Sequence, residues 1–134
     1  MTRISSELRD LLEKAIYYPM LLTVLERDRK LFEKGSFKLP RPYINLIEKL
    51  MLKVQADLYL VKKEMKKQRL MVEEIKRDEL FTTFLFIYRG FEEYHNYFNP
   101  TIRNKVEELL ESYLNTITIN KSSPKVRNET INEN

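Results

Sequence analysis

Glu92 and His95 are the two side chains in this sequence whose types and spacing come nearest to a reaction or ligand centre. They lie in "GFEEYHNYFNP", residues 90–100, which contains the chain's one histidine. On a helix, positions three apart share a face. Carboxylate-bridged two-metal bundles take Glu-x-x-His from each of two helices and a Glu from each of two others. Glu26 and Glu48 on earlier helices can offer further carboxylates. A second Glu-x-x-His is missing, so only a pair of chains could complete such a site. The competing explanation is that His95 is a hydrogen-bonded core residue at a helix end, with Asn96 and Asn99 in the turn beyond it. A lone short motif matches by chance too often to carry a metal site, so no cofactor is expected. One histidine and no cysteine also remove thiolate metal sites and cysteine nucleophiles. No Ser-His-Asp arrangement, P-loop or dinucleotide fingerprint is present. Glu73, Glu74, Asp78 and Glu79 read as a solvated face. The chain is therefore expected to be non-enzymatic, with no small-molecule substrate indicated.

Two other groups of residues can recognise something. Lys62, Lys63, Lys66, Lys67 and Arg69 cluster, with Lys76 and Arg77 beyond. Gathered on one face they could neutralise phosphates in a salt-dependent way, which makes nucleic-acid binding the second functional reading. Against it, Glu64, Glu73 and Glu74 are interleaved, and cations at a helix C-terminus already complement the helix dipole. The other group is aromatic. Eight tyrosines and seven phenylalanines, with no tryptophan, concentrate between Phe81 and Phe98. Phe81, Phe84, Leu85, Tyr88, Phe91, His95 and Phe98 fall at helical spacing, while Leu80, Phe86, Ile87 and Tyr94 flank them. One small bundle cannot cover so many. Aromatics are enriched where proteins meet, so Phe84, Ile87, Tyr88, Phe91, Tyr94 and Phe98 are the expected interaction surface. The leading functional expectation is a helical protein–protein interaction module, regulatory or inhibitory, bound to a partner or to itself as a homodimer.

The elements that must position these groups follow from composition and periodicity. The 134 residues suffice for one domain. Two glycines and five prolines are few, and 33 % of residues are charged with mixed sign, a composition that favours amphipathic helices. The net charge of +4 is mild. "MTRISSELRDLLEK" lacks the apolar core of a signal peptide. "YYPMLLTVL" and "LFTTFLFIY" are each about half the ~20 residues needed to cross a bilayer. The reading is of a soluble, cytoplasmic protein with no membrane partner.

A first helix is expected from about Ser5 to Lys34, kinked or split near Pro19 and stopped by a left-handed Gly35. "SFKLPRP" connects it to a second, with Tyr43, Ile47, Leu50, Met51, Val54, Leu58, Val61 and Met65 in steps of three and four. "LMVEEIKRDE" is open between a helix extension, a short strand in which Leu70, Val72 and Glu74 alternate, and a loop. A turn near Arg69 followed by helix from Glu73 or Asp78 is favoured. "ELFTTFLFIYRGFEEYHNYF" is expected to be the third helix. Asn99 and Pro100 are a natural cap and first residue for the fourth. The fold expected is all-α, an antiparallel bundle of about four helices over residues 1–116, followed by a flexible tail over 117–134, where "ITIN" is the one strand-like stretch.

"KAIYYPMLLTVLERD", "FKLPRPYINLIE", "RDELFTTF" and "YRGFEEYHNYFNPTIRNKVEELL" together resemble the YhjD-type small proteins of Bacillus, related Firmicutes and their phages. The resemblance spans about residues 2–115, and its most specific part runs from Tyr88 to Asn104. It implies a bacterial or phage-encoded, cytoplasmic setting. It implies no catalytic residue, cofactor or substrate.

Overall fold

The computed structural model describes residues 4–121. The order of elements is α1 (Ser6–Lys34), α2 (Pro40–Gln68), β1 (Leu70–Arg77), β2 (Phe81–Tyr88), β3 (Phe91–Phe98) and α3 (Asn99–Lys121). The all-α four-helix bundle is thus overturned. The fold is α+β, three helices on a three-stranded antiparallel sheet of order β1-β2-β3.

The two long helices form as their sequence dictates. Ser5 caps α1, its Oγ accepting from the Leu8 N–H at 3.2 Å. Pro19 lies inside this single helix and does not divide it. Gly35 ends it in an extended conformation, φ −76°, not the left-handed one expected. Its N–H still donates to the Leu31 carbonyl at 2.8 Å. Pro40 and Pro42 sit at the start of α2, where missing backbone donors cost little. A connector this short makes the two helices antiparallel neighbours. Leu12, Ile16, Leu21 and Leu25 of α1 meet Ile47, Leu50, Val54 and Val61 of α2 in the core.

The turn expected near Arg69 is present. Arg69 caps α2 at φ 62°, but the chain continues as β1, not as helix. The expected third helix is instead the β2–β3 hairpin. The physical reason lies in the stretch itself. Apart from Leu85, "FTTFLFIY" is β-branched and aromatic, and such side chains suit a pleated surface better than a helix. The turns decide the matter. Tyr88 pairs with Phe91 across a two-residue loop, and both loop residues are left-handed, Arg89 at φ 53° and Gly90 at φ 85°. That is the loop whose twist matches a hairpin. Gly90 therefore serves the turn, where the absence of a Cβ makes a left-handed φ easy to adopt. A Cβ there would meet nothing within 4 Å, so Gly90→Ala tests backbone strain alone. Urea unfolding is expected to show a loss of about 1 kcal/mol.

Between β1 and β2, Asp78 builds the other turn. Its Oδ1 accepts from the N–H groups of Leu80 and Phe81, both at 2.8 Å. These two bonds, Phe81's first, hold its carboxyl below the ordinary value of 3.8. A lowered folded pKa means that the contribution is present above pH 3.8 and fades as pH falls through the folded value. In acid unfolding, the advantage of the native chain over Asp78→Ala is expected to shrink below about pH 3.8.

Strand register sets the two faces of the sheet. Val72, Phe86 and Glu93 are aligned, as are Glu74, Phe84 and His95. Phe84, Phe86 and Leu70 join the helical core, with Val72, Tyr88 and Tyr97 packed against it. A bulge at Ile75 separates Glu74 from Lys76. Phe98 leads directly into α3. Asn99 is the first residue of that helix and ties the corner together. Its Nδ2 donates to the carbonyls of Asp78 and Glu79 at 2.9 and 3.1 Å, and its Oδ1 accepts from Thr82 at 2.7 Å. The helix runs on to Lys121. The tail expected over 117–134 lies outside the described residues from 122 onward.

Candidate functional site

The strand at residues 91–98 separates Glu92 from His95. Positions three apart on a strand point to opposite faces. His95 faces the helices, where its Nε2 lies 3.0 Å from Glu93 Oε1 and its ring stacks on Phe86 at 4.5 Å. Glu92 is exposed on the other face. Glu26 is engaged by Arg29 at 2.6 Å, whose hydrogen bond lowers its pKa. Among the described residues no three histidine or carboxylate side chains are grouped to hold a metal ion. The histidine is thus a partly buried residue with a carboxylate partner.

Two partly buried tyrosine contacts tie the helices to their neighbours. Tyr97 OH donates to Glu13 of α1 at 2.7 Å, and Tyr113 OH of α3 donates to Asp57 of α2 at 2.5 Å. Tyr17, beside Glu13, has its phenol pushed up to about 12 by burial and then by that carboxylate. These are neutral donors serving acceptors between elements, and neither is paired with a nucleophile.

A groove of about 690 Å³ between α1 and α3 has Met20, Leu21, Val24 and Val106 along it, with Arg77 and Arg103 also in its lining. Arg77 is already bound to Glu74 at 3.0 Å. The groove brings together no acid–base pair.

The outer face of the sheet is different. Pairing places Met71, Ile87 and Glu92 in one row, Glu73, Leu85 and Tyr94 in the next, then Lys76, Thr83 and Asn96, and finally Phe81 and Phe98. All three helices pack on the opposite side. Leu85 in the middle is buried, but Tyr94 is 65 % and Met71 60 % exposed. Ile75, Phe81 and Phe98 are exposed as well. A sheet with one face on its core ordinarily presents polar residues on the other, and this one mixes rings and aliphatic side chains with Glu73, Lys76, Thr83, Glu92 and Asn96.

The expected aromatic surface is therefore split by the strand alternation. Ile87, Tyr94 and Phe98 belong to the outer face. Phe84 is buried core, and Tyr88 and Phe91 are on the helix-facing side. Met71, Glu73, Ile75 and Lys76 complete the outer face and were missed. Their signal was the period of two in "LMVEEIKR", which becomes legible once β1 is read as a strand. Lys62, Lys63, Lys66 and Lys67 are exposed on the last turns of α2, and Arg69 is exposed at its cap. Lys76 and Arg77 lie apart from them, on β1.

Comparison with known proteins gives two matches. The family described as YhjD protein matches residues 3–118. The Bacillus subtilis (strain 168) protein described as "Uncharacterized protein YhjD" is 42 % identical over 114 residues, which is 85 % of this chain and 95 % of that one. No solved structure matches.

Proposed function

From the premise that this chain belongs to the YhjD family, we propose that it is a non-enzymatic protein-interaction module that pairs with a second copy of itself through the outer face of its sheet, in the cytoplasm. The observation that carries this reading is the group of exposed apolar side chains, Met71, Ile75, Phe81, Tyr94 and Phe98, on a face that no helix among the described residues covers. An apolar face on an otherwise charged molecule marks an interaction site.

A second copy suits this face by its charges. A two-fold axis across the strands, through the middle of the four rows, lays each Glu73 over the Lys76 of the other copy. It also lays Ile87 over Phe81 and Leu85 over Thr83. Such a self-complementary patch is what a two-fold dimer requires. Two sheets stacked about 10 Å apart would interdigitate their inner side chains as a sandwich does. The face measures about 14 by 26 Å from strand spacing and rise, or roughly 700 Å² over two copies, below the ~1,200 Å² of standard interfaces, so the dimer is expected to be weak and to form at high concentration.

Light scattering over a concentration series tests this. The expected mass at high concentration is twice the 16.3 kDa of one chain. Tyr94→Asp is expected to give a monomer with unchanged helix content. Glu73→Lys and Lys76→Glu are each expected to weaken the dimer, and the double exchange to restore it. A monomer at every concentration, or a dimer indifferent to Tyr94→Asp, would overturn the reading.

A further inference from the structure

The solvent side of α2 carries a second exposed apolar surface. We propose that the solvent side of α2 docks on an anionic lipid surface, with Leu52, Tyr59 and Leu60 entering the headgroup layer and the lysines around them facing the lipid phosphates. This inference does not rest on the sheet-face dimer, since it uses the opposite layer of the fold.

The inward stripe of α2, Ile47, Leu50, Val54, Val61 and Met65, is used by the core. A second apolar ridge runs along the outside. Leu52 is 68 %, Tyr59 65 % and Leu60 60 % exposed, and Ala56 is exposed between them. At 100° per residue these four fall within about 100° of one another on the helical wheel. Lys49, Lys62, Lys63, Lys66 and Lys67 fall within about 80° of Leu52 on the same wheel, and all are exposed. None of these five makes an ion pair among the described residues. The acids of α2 offset them little. Asp57 accepts from Tyr113 and lies 3.7 Å from Lys53. Glu64 accepts from Gln68 at 2.8 Å. Only Glu48 shares the arc, near its N-terminal end. Lys49 to Lys67 spans about 27 Å of helix, an apolar line bordered by positive charge.

The residue types choose among anionic partners. Between Arg41 and the cap Arg69, every cation of α2 is a lysine. Protein interfaces are enriched in arginine and depleted in lysine, so this face is a poor match to an acidic protein. Phosphates of a nucleic acid would satisfy the lysines, but they give no reason for exposed leucines. A helix lying in a bilayer interface needs both, aliphatic side chains in the acyl boundary and long flexible lysines reaching back to the headgroups. The rule that a spanning segment needs about 20 apolar residues is silent on a helix that lies flat. No helix among the described residues is long and apolar enough to cross a membrane, and this mode of binding needs none.

Co-sedimentation with vesicles tests the proposal, using the full chain with phosphatidylcholine alone or phosphatidylcholine mixed with phosphatidylglycerol. Binding is expected to the mixed vesicles only, and to fall with added salt. Each lysine near an anionic surface is worth about fivefold in partitioning, so Lys63→Glu with Lys66→Glu should weaken binding about 25-fold or more. Leu52→Ser with Leu60→Ser should weaken it about tenfold at unchanged charge. All four positions are exposed, so circular dichroism and melting should be unchanged. Absence of binding to the anionic vesicles at low salt would overturn the proposal. So would binding that the leucine pair does not alter, which would be that of a polycation alone. Complete displacement of the vesicles by duplex DNA, with the leucine variant binding DNA as well as the native chain does, would overturn it in favour of a nucleic-acid surface.

Discussion

Phe86→Ala is expected to cost about 3–5 kcal/mol in urea unfolding, the range for a buried phenylalanine truncated in a packed core. Phe86 is completely buried. It sits at the centre of β2's inner face, aligned with Val72 on one side and Glu93 on the other. Its ring stacks on His95 at 4.5 Å and meets Tyr97 at 6.3 Å. Truncation would leave a void where the sheet joins the helices, and a paired sheet cannot collapse locally to fill it. A small domain commonly has only about 5–15 kcal/mol in total, so this one change removes a large part of the stability. Phe81→Ala makes the control. Its ring is exposed on the outer face, so the same deletion there should cost less than about 1 kcal/mol in the isolated chain. Equal losses at the two positions would contradict the assignment of faces.

Tyr113→Phe is the second large effect, a loss of about 1.5–3 kcal/mol for a hydrogen bond made to a charged acceptor. Tyr113 is buried, and its hydroxyl joins α3 to Asp57 of α2 at 2.5 Å. Its ring also lies edge-on to Tyr18 of α1, so one side chain touches all three helices. The effect carries a pH signature. Burial first, and then the bond to Asp57, raise this phenol above its ordinary value of 10.0. For a raised folded pKa, the contribution is fully present below the unfolded value and is lost as pH rises through the folded one. The stability gap between the native chain and Tyr113→Phe is therefore expected to be constant at neutral pH and to close above about pH 10. Tyr97, raised by burial and by its bond to Glu13, should behave in the same way. Urea unfolding repeated from pH 7 to 11 provides the check, and a gap that is flat across pH 10 would contradict it.

How much of this was legible in the residues depended on how many structures a given spacing permits. In α2 the steps of three and four persist for more than twenty residues, which no strand can share, and the helix is where the periodicity put it. In "LFTTFLFIYRGFEEYHNYF" eleven of nineteen residues are aliphatic, phenylalanine or tyrosine, dense enough that steps of two and steps of three or four are both satisfied. Periodicity alone does not separate a buried strand from a helix in such a run. The stronger signals were the β-branched Thr82, Thr83 and Ile87 and the placement of Gly90 after Arg89. Glu92 and His95 show the consequence. Their helical spacing suggested one face, and on a strand the same spacing puts them on opposite sides of a sheet.

The sequence by itself determined the two long helices, the proline-rich connector between them, the turn at Arg69 and membership of a family that this chain matches over most of its length. Those depend on contacts within a few residues and on residue order, both of which are local. Which aromatics are core and which are surface was decided only by tertiary structure. Phe84 and Leu85 are neighbours in the chain, yet one faces the helices and the other the outer side of the sheet, because pairing of β2 with β1 and β3 fixes the direction of every side chain at once. That pairing joins Val72 to Phe86 and Phe86 to Glu93. The same is true of the outward ridge of α2. Leu52, Tyr59 and Leu60 are apolar residues on an amphipathic helix, and only the packing of α1 and the sheet against its other side leaves them in water.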